Sequence, residues 1–100
     1  MEYQLRHYRI RAGSMDAFLD AWSRGVYPLR RKFGFTFAGA WRIDGSDEFV
    51  WILGYDGPKG FAAADRDYYA SDERKSMSPD PARFIEAPIA RMMTRVLLPD

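Results

Sequence analysis

Residues 48–58, Glu-Phe-Val-Trp-Ile-Leu-Gly-Tyr-Asp-Gly-Pro (EFVWILGYDGP), decide how the rest of the chain is read. A strand with one face in water alternates apolar and polar residues. Here Phe49, Trp51, Leu53 and Tyr55 stand on one parity and Val50, Ile52 and Gly54 on the other, and neither set suits water. Both faces of the strand therefore need a cover. A chain of 100 residues is a single domain, 1–100, and a domain of that size buries only about 60–70% of its unfolded surface. It has material for one core, not two. The expectation is that helices of the same chain cover one face and a second copy covers the other.

Working outward, Asp44-Gly45-Ser46-Asp47 is turn chemistry, and it joins this strand to residues 35–43 (FTFAGAWRI). Phe35, Phe37, Trp41 and Ile43 share a parity there, which predicts a strand with one large-residue face. Upstream, Phe18, Leu19, Trp22, Val26, Leu29 and Phe33 recur at helical spacing from Met15 onward. Ser14 is placed to cap this helix, Gly34 to end it, and Pro28 to kink or restart it. Residues 3–10 (YQLRHYRI) mix bulky and polar residues at period two, as a strand does. Downstream, Gly57-Pro58 predicts the start of a second helix with Phe61, Ala64 and Tyr68 on its buried stripe, and residues 89–98 (IARMMTRVLL) predict the last strand. The polar, proline-bearing segment between Tyr69 and Ile89 reads either as short helical turns packed on the surface or as a lid over a site. The order strand, helix, strand, strand, helix, strand gives an α+β fold, a ferredoxin-like βαββαβ sandwich. It has a four-stranded antiparallel sheet, with the first and third strands central. Two such open sheets stacked face to face make a twofold homodimer, a dimeric α+β barrel.

Composition narrows the function classes. A net charge of +1 offers no footprint for nucleic acid or an anionic membrane, and the one basic cluster, Arg30-Arg31-Lys32, reads as a solvated helix end. The third strand begins acidic and continues aliphatic, unlike that of an RNA-recognition motif. The absence of cysteine excludes a disulfide framework, an iron–sulfur site and a cysteine nucleophile. The start MEYQLRHYRI lacks a signal-peptide layout, and no apolar run approaches the ~20 residues of a membrane helix, so a cytoplasmic protein is expected. A lone histidine excludes a histidine metal cluster within one chain, and neither a metal nor a cofactor is expected.

Several pieces in order resemble the NIPSNAP family, within the wider group of dimeric α+β barrel proteins: LRHYRIRAGSMDAFLDAW, YPLRRKFGFTFAGAWRI, FVWILGYDGPKGF, YYASDERK and a closing VLLP. The resemblance spans nearly the whole chain. It implies a ferredoxin-like protomer pairing into a barrel, and relatives on that architecture include cofactor-independent monooxygenases and isomerases. It carries no catalytic motif across residue by residue.

Candidate site residues follow from the strands. His7 is the only histidine, and if it faces the barrel interior beside Trp51 and Arg91 it is the acid–base candidate. The plainer role is a histidine hydrogen-bonded in the sheet or at the interface. Trp41, Trp51 and Tyr55 are candidates for an aromatic wall around a flat apolar ligand, or simply core. Arg91 is the candidate anion or carbonyl partner. Arg42, Arg91 and Arg95 equally read as outward guards of edge strands. Gly54, Gly57, Gly60 and Lys59 lack phosphate-loop spacing, and no GxSxG elbow is present. The leading expectation is a homodimer that binds a small hydrophobic molecule in its barrel, with conversion without metal, for example by oxygenation or isomerisation, left open. The alternative is a non-catalytic interaction module whose barrel is filled by side chains.

Overall fold

The computed structural model describes residues 1–100. Strand β1 (Glu2–Ile10) leads into α1 (Met15–Ala21), a π-helical turn (Trp22–Val26) and α2 (Tyr27–Lys32). Strands β2 (Thr36–Ile43) and β3 (Glu48–Tyr55) follow, then α3 (Phe61–Ala70), α4 (Asp72–Lys75), a 3₁₀ turn (Pro81–Phe84) and β4 (Ile85–Met93). The strands form one antiparallel sheet in the order β2-β3-β1-β4, so β1 and β3 are central, and the sheet stays open with β2 and β4 at its edges. The fold is α+β and ferredoxin-like. Its shortest dimension, 19 Å, is that of one sheet plus one layer of helices.

Strand register sorts residues by face. Trp51 pairs with Ala40 on one side and Arg6 on the other, and Arg6 pairs with Ala90; this row faces the helices. The adjacent row, Trp41, Val50, His7 and Ile89, faces away from them. Phe49, Trp51, Leu53 and Tyr55 are buried under α1 to α3 together with Tyr8, Ile10, Phe18 and Tyr68. Fully burying one such side chain stabilises by about 1.5–3 kcal/mol. Hence β3 anchors the core.

Four local expectations are corrected. The large-residue parity of residues 35–43 is broken by a bulge between Phe37 and Gly39, which leaves Ala38 as the extra residue. Phe35 and Phe37 turn into the core, while Trp41 and Ile43 turn to the open face. At Pro28 the helical run restarts as expected, the proline standing in the first turn of α2 after a π turn in which the Tyr27 N–H donates to the Trp22 carbonyl five residues back. Ser14 occupies the N-cap without a side-chain capping bond, whereas Gly34, at φ 90°, ends the run as expected. The second helix starts at Phe61 rather than at Gly57-Pro58, because Gly60 takes φ 83° and the Glu2 carboxylate accepts the Phe61 N–H at 2.7 Å. The last strand runs Ile85–Met93 instead of 89–98; its partner β1 starts at Glu2, opposite Tyr55, and Tyr3 pairs with Met93, so residues beyond Met93 have no strand to pair with. Pro88 is tolerated in β4 because that strand is an edge.

No helix is long and apolar enough to cross a membrane.

Candidate ligand cavity

A cavity of about 410 Å³ lies between the sheet and the helices, lined by sixteen residues of which eleven are hydrophobic. Its floor is Arg6 and Tyr8 of β1 with Trp51 of β3. The long helical run supplies Phe18, Trp22, Val26 and Arg30, which recur every four residues and so stack on one face. Tyr68 and Tyr69 close one side from α3. The segment between α3 and β4, read from sequence as surface turns or a lid, supplies a further wall: Arg74, Pro81 and Ala82 line the cavity, and Pro81 is buried.

The polar groups of this space form one network. Arg6 donates from Nη2 to Asp65 Oδ1 at 3.1 Å, from Nη1 to the Tyr69 hydroxyl at 2.6 Å, and from Nε to Gln4 Oε1 at 2.6 Å. Arg30 donates from Nη1 to the same Asp65 oxygen at 2.6 Å. Its guanidinium lies 3.8 Å from the centre of the Tyr68 ring and 4.7 Å from that of Phe35. Such cation–π contacts offset part of the loss of hydration. Burial pushes the Tyr8 and Tyr68 phenols above their ordinary pKa, with Arg6 and Arg30 respectively pulling the other way, so both stay neutral phenols near neutral pH.

The side chains singled out from sequence are divided between the two faces. Trp51 lines the cavity, with Trp22 packed edge-on against it at 5.4 Å. Tyr55 is buried against Phe35 at 5.3 Å and is core. Trp41 sits across the sheet on the open face, 51% exposed, so it cannot share a wall with Trp51 and Tyr55. His7 is on that open face as well, opposite Val50 and Ile89 rather than beside Trp51, with Nε2 2.7 Å from Glu48 Oε1. Arg91 pairs with Leu5 on the same face and is exposed. A single residue of parity separates the two groups, since neighbours along a strand point to opposite faces.

The residues that sequence reasoning missed are Arg6, Arg30 and Asp65. Arg30 was read within a solvated basic cluster, yet it is 1% exposed. The signal was present: Arg30 falls four residues after Val26 on the apolar stripe, and Asp65 falls one after Ala64, three before Tyr68. Arg6 shares its parity with Tyr8 and Ile10. A phosphate at the start of α3 is disfavoured by the Glu2 carboxylate already there. No group of three or more metal-ligating side chains is gathered anywhere in the fold.

A model of the NIPSNAP family matches residues 3–99. Among solved structures, a NIPSNAP domain protein from Burkholderia xenovorans is similar with a TM-score of 0.84 at 21% identity, over 100% of both chains. A NIPSNAP family protein from Agrobacterium tumefaciens gives 0.84 at 18% identity, over 95% of this chain and 92% of its own. An antibiotic biosynthesis monooxygenase gives 0.73 at 15% identity, over 97% of this chain and 100% of its own. At such identities these structures share the fold. No curated protein matches the chain.

Proposed function

The chain belongs to the NIPSNAP family, and we propose that it is a homodimer that holds a small, largely apolar molecule between its sheet and its helices. The cavity itself carries this reading. Protein interiors leave few voids larger than a water molecule, and a space of about 410 Å³ lies in the range of small-molecule sites. A module whose interior is filled by side chains has no reason to keep that space beside Trp51. The ligand position differs from the one expected across the barrel, because Trp51 faces the helices rather than the partner. Oxygenation is the first reaction to test, given the monooxygenase of the same fold. Proton transfer inside the cavity would fall to Tyr8 or Tyr69, since His7 is on the other face.

The second half of the reading concerns the open face. Trp41, Ile43 and Ile89 stay 51%, 39% and 46% exposed there, beside Leu5, Val50 and Ile52, which supports cover by a second copy. A cytoplasmic location belongs to the same reading and is supported by a chain free of cysteine.

Calorimetric titration with a neutral flat aromatic, 2-naphthamide, tests the cavity. One molecule should bind per chain, and Ala90→Trp, which places an indole at the cavity wall beside Arg6, should abolish binding while the circular dichroism spectrum is retained. Undiminished binding by the folded variant would remove the cavity from consideration. Light scattering tests the pairing: two chains per particle are expected at micromolar concentration, and a monodisperse monomer would overturn that half.

A further inference from the structure

The cavity contains a charge imbalance. Two guanidinium groups, Arg6 and Arg30, converge on a single oxygen of Asp65, at 3.1 and 2.6 Å. Their other contacts are neutral: an amide and phenol hydroxyls for Arg6, aromatic faces for Arg30. The cluster keeps one surplus positive charge where the two arginines are only 7% and 1% exposed. Arg74, at the cavity wall, directs its ion pair to the exposed Asp80 and so adds no negative group to the cluster. A surplus charge held away from water is expensive unless it is paired.

A second observation is independent of charge. Four buried polar atoms make no hydrogen bond: Trp22 Nε1, Arg30 Nε, Trp51 Nε1 and the Tyr68 hydroxyl. All four residues line this cavity. Three of these atoms can only donate, so a guest that satisfies them must bring acceptors. Resting on the reading that the cavity holds a small molecule, we propose that its guest is an organic monoanion: a carboxylate carried on a flat apolar skeleton. The carboxylate meets Arg6 and Arg30, its lone pairs being the acceptors offered to the free N–H donors, and the skeleton lies against the rings of Trp22 and Trp51. A carboxylate matches the single surplus charge and the planar fork of a guanidinium, whereas a doubly charged phosphate would overshoot it. The apolar remainder of the lining excludes a skeleton rich in further polar groups.

Two probes of the same shape separate charge from cavity binding: 2-naphthoate and the neutral 2-naphthamide, titrated calorimetrically into the full chain at neutral pH. Naphthoate is expected to bind at least about tenfold more tightly, as charge-assisted hydrogen bonds would give. Arg6→Gln should erase that preference and leave the amide within about twofold. In Asp65→Asn the guest replaces the lost carboxylate, so naphthoate should raise the melting temperature more than it does for the wild type, and the amide should not. Equal affinities of the two probes for the wild type would overturn the anion assignment and leave the cavity reading standing. Binding of neither probe at millimolar concentration would overturn both.

Discussion

Trp51 and Ile52 are neighbours in sequence, and the two sheet faces they point to are built on different principles. On the helix side, aromatic rings surround charged groups: Trp51, Trp22 and Tyr68 line the cavity with Arg6 and Arg30, whose shared partner Asp65 stands at its margin, a quarter exposed. On the open side, aliphatic residues with Trp41 surround one histidine–carboxylate pair, His7 and Glu48, both about one third exposed. The helix-side face is closed within the chain except for its cavity, so its polar groups have to be satisfied there or by a guest. The open face keeps Trp41, Ile43 and Ile89 exposed, the surface on which the proposed second copy would pack. Under the function proposed above, a strand with no polar face serves two ends: one parity lines the cavity and the other is left for a second copy.

Substitutions can break this contrast. The largest effect is expected at Trp51→Ala, about 3–5 kcal/mol from lost burial and an enlarged cavity, read by urea unfolding. Ile52→Ala on the other face should cost about 1 kcal/mol or less in a dilute monomer and more when the chain is concentrated enough to pair. Equal costs for the two, independent of concentration, would mean that the faces are not divided as described. Asp65→Ala should come next, at about 3 kcal/mol, because it leaves two buried guanidinium groups without their shared carboxylate. Asp65 is itself a quarter exposed, which places the effect at the lower end of that mechanism's range. Recovery of stability in Arg30→Met/Asp65→Ala, relative to Asp65→Ala alone, would sharpen the attribution to charge.

Smaller effects depend on pH. Tyr8 and Tyr68 have phenols raised above the ordinary value of 10.0, so their neutral forms contribute stability fully below about pH 10 that is lost as pH rises through the folded values. Absorbance titration of the six tyrosines should show a late alkaline phase, diminished by Tyr8→Phe or Tyr68→Phe. A single phase at the ordinary pKa would contradict the burial of these hydroxyls. The smallest effect belongs to the open face. Hydrogen bonds from Ser46 and His7 hold the Glu48 carboxyl below its ordinary 4.5. Its contribution is therefore complete above that value and disappears as pH falls through the lowered one. A shallow acid limb in the melting temperature, flattened by Glu48→Gln, is the expected trace.

Much of the fold was legible because its signals are local. The apolar run of β3, the turn at Asp44–Asp47 and the helical stripe from Met15 suffice for element order and for the two central strands. The site was less legible. Its charged members resemble surface residues by type, and only their phase within each element betrays them: Arg30 on the stripe of Val26, Asp65 between Ala64 and Tyr68. The grouping of Trp41 with Trp51 failed because equal parity within β2 does not survive the bulge at Ala38, and because parities on different strands can be compared only once register is known.

Hydrophobic periodicity and turn chemistry act over a few residues, so the sequence by itself determined the succession of strands and helices and the apolar character of both faces of β3. Which residues meet depends on register, on the bulge in β2 and on the π turn that precedes Pro28. Those are settled by packing between segments far apart in the chain. Arg6, Arg30 and Asp65 come from β1, α2 and α3, and only the folded chain brings their charges to one oxygen atom.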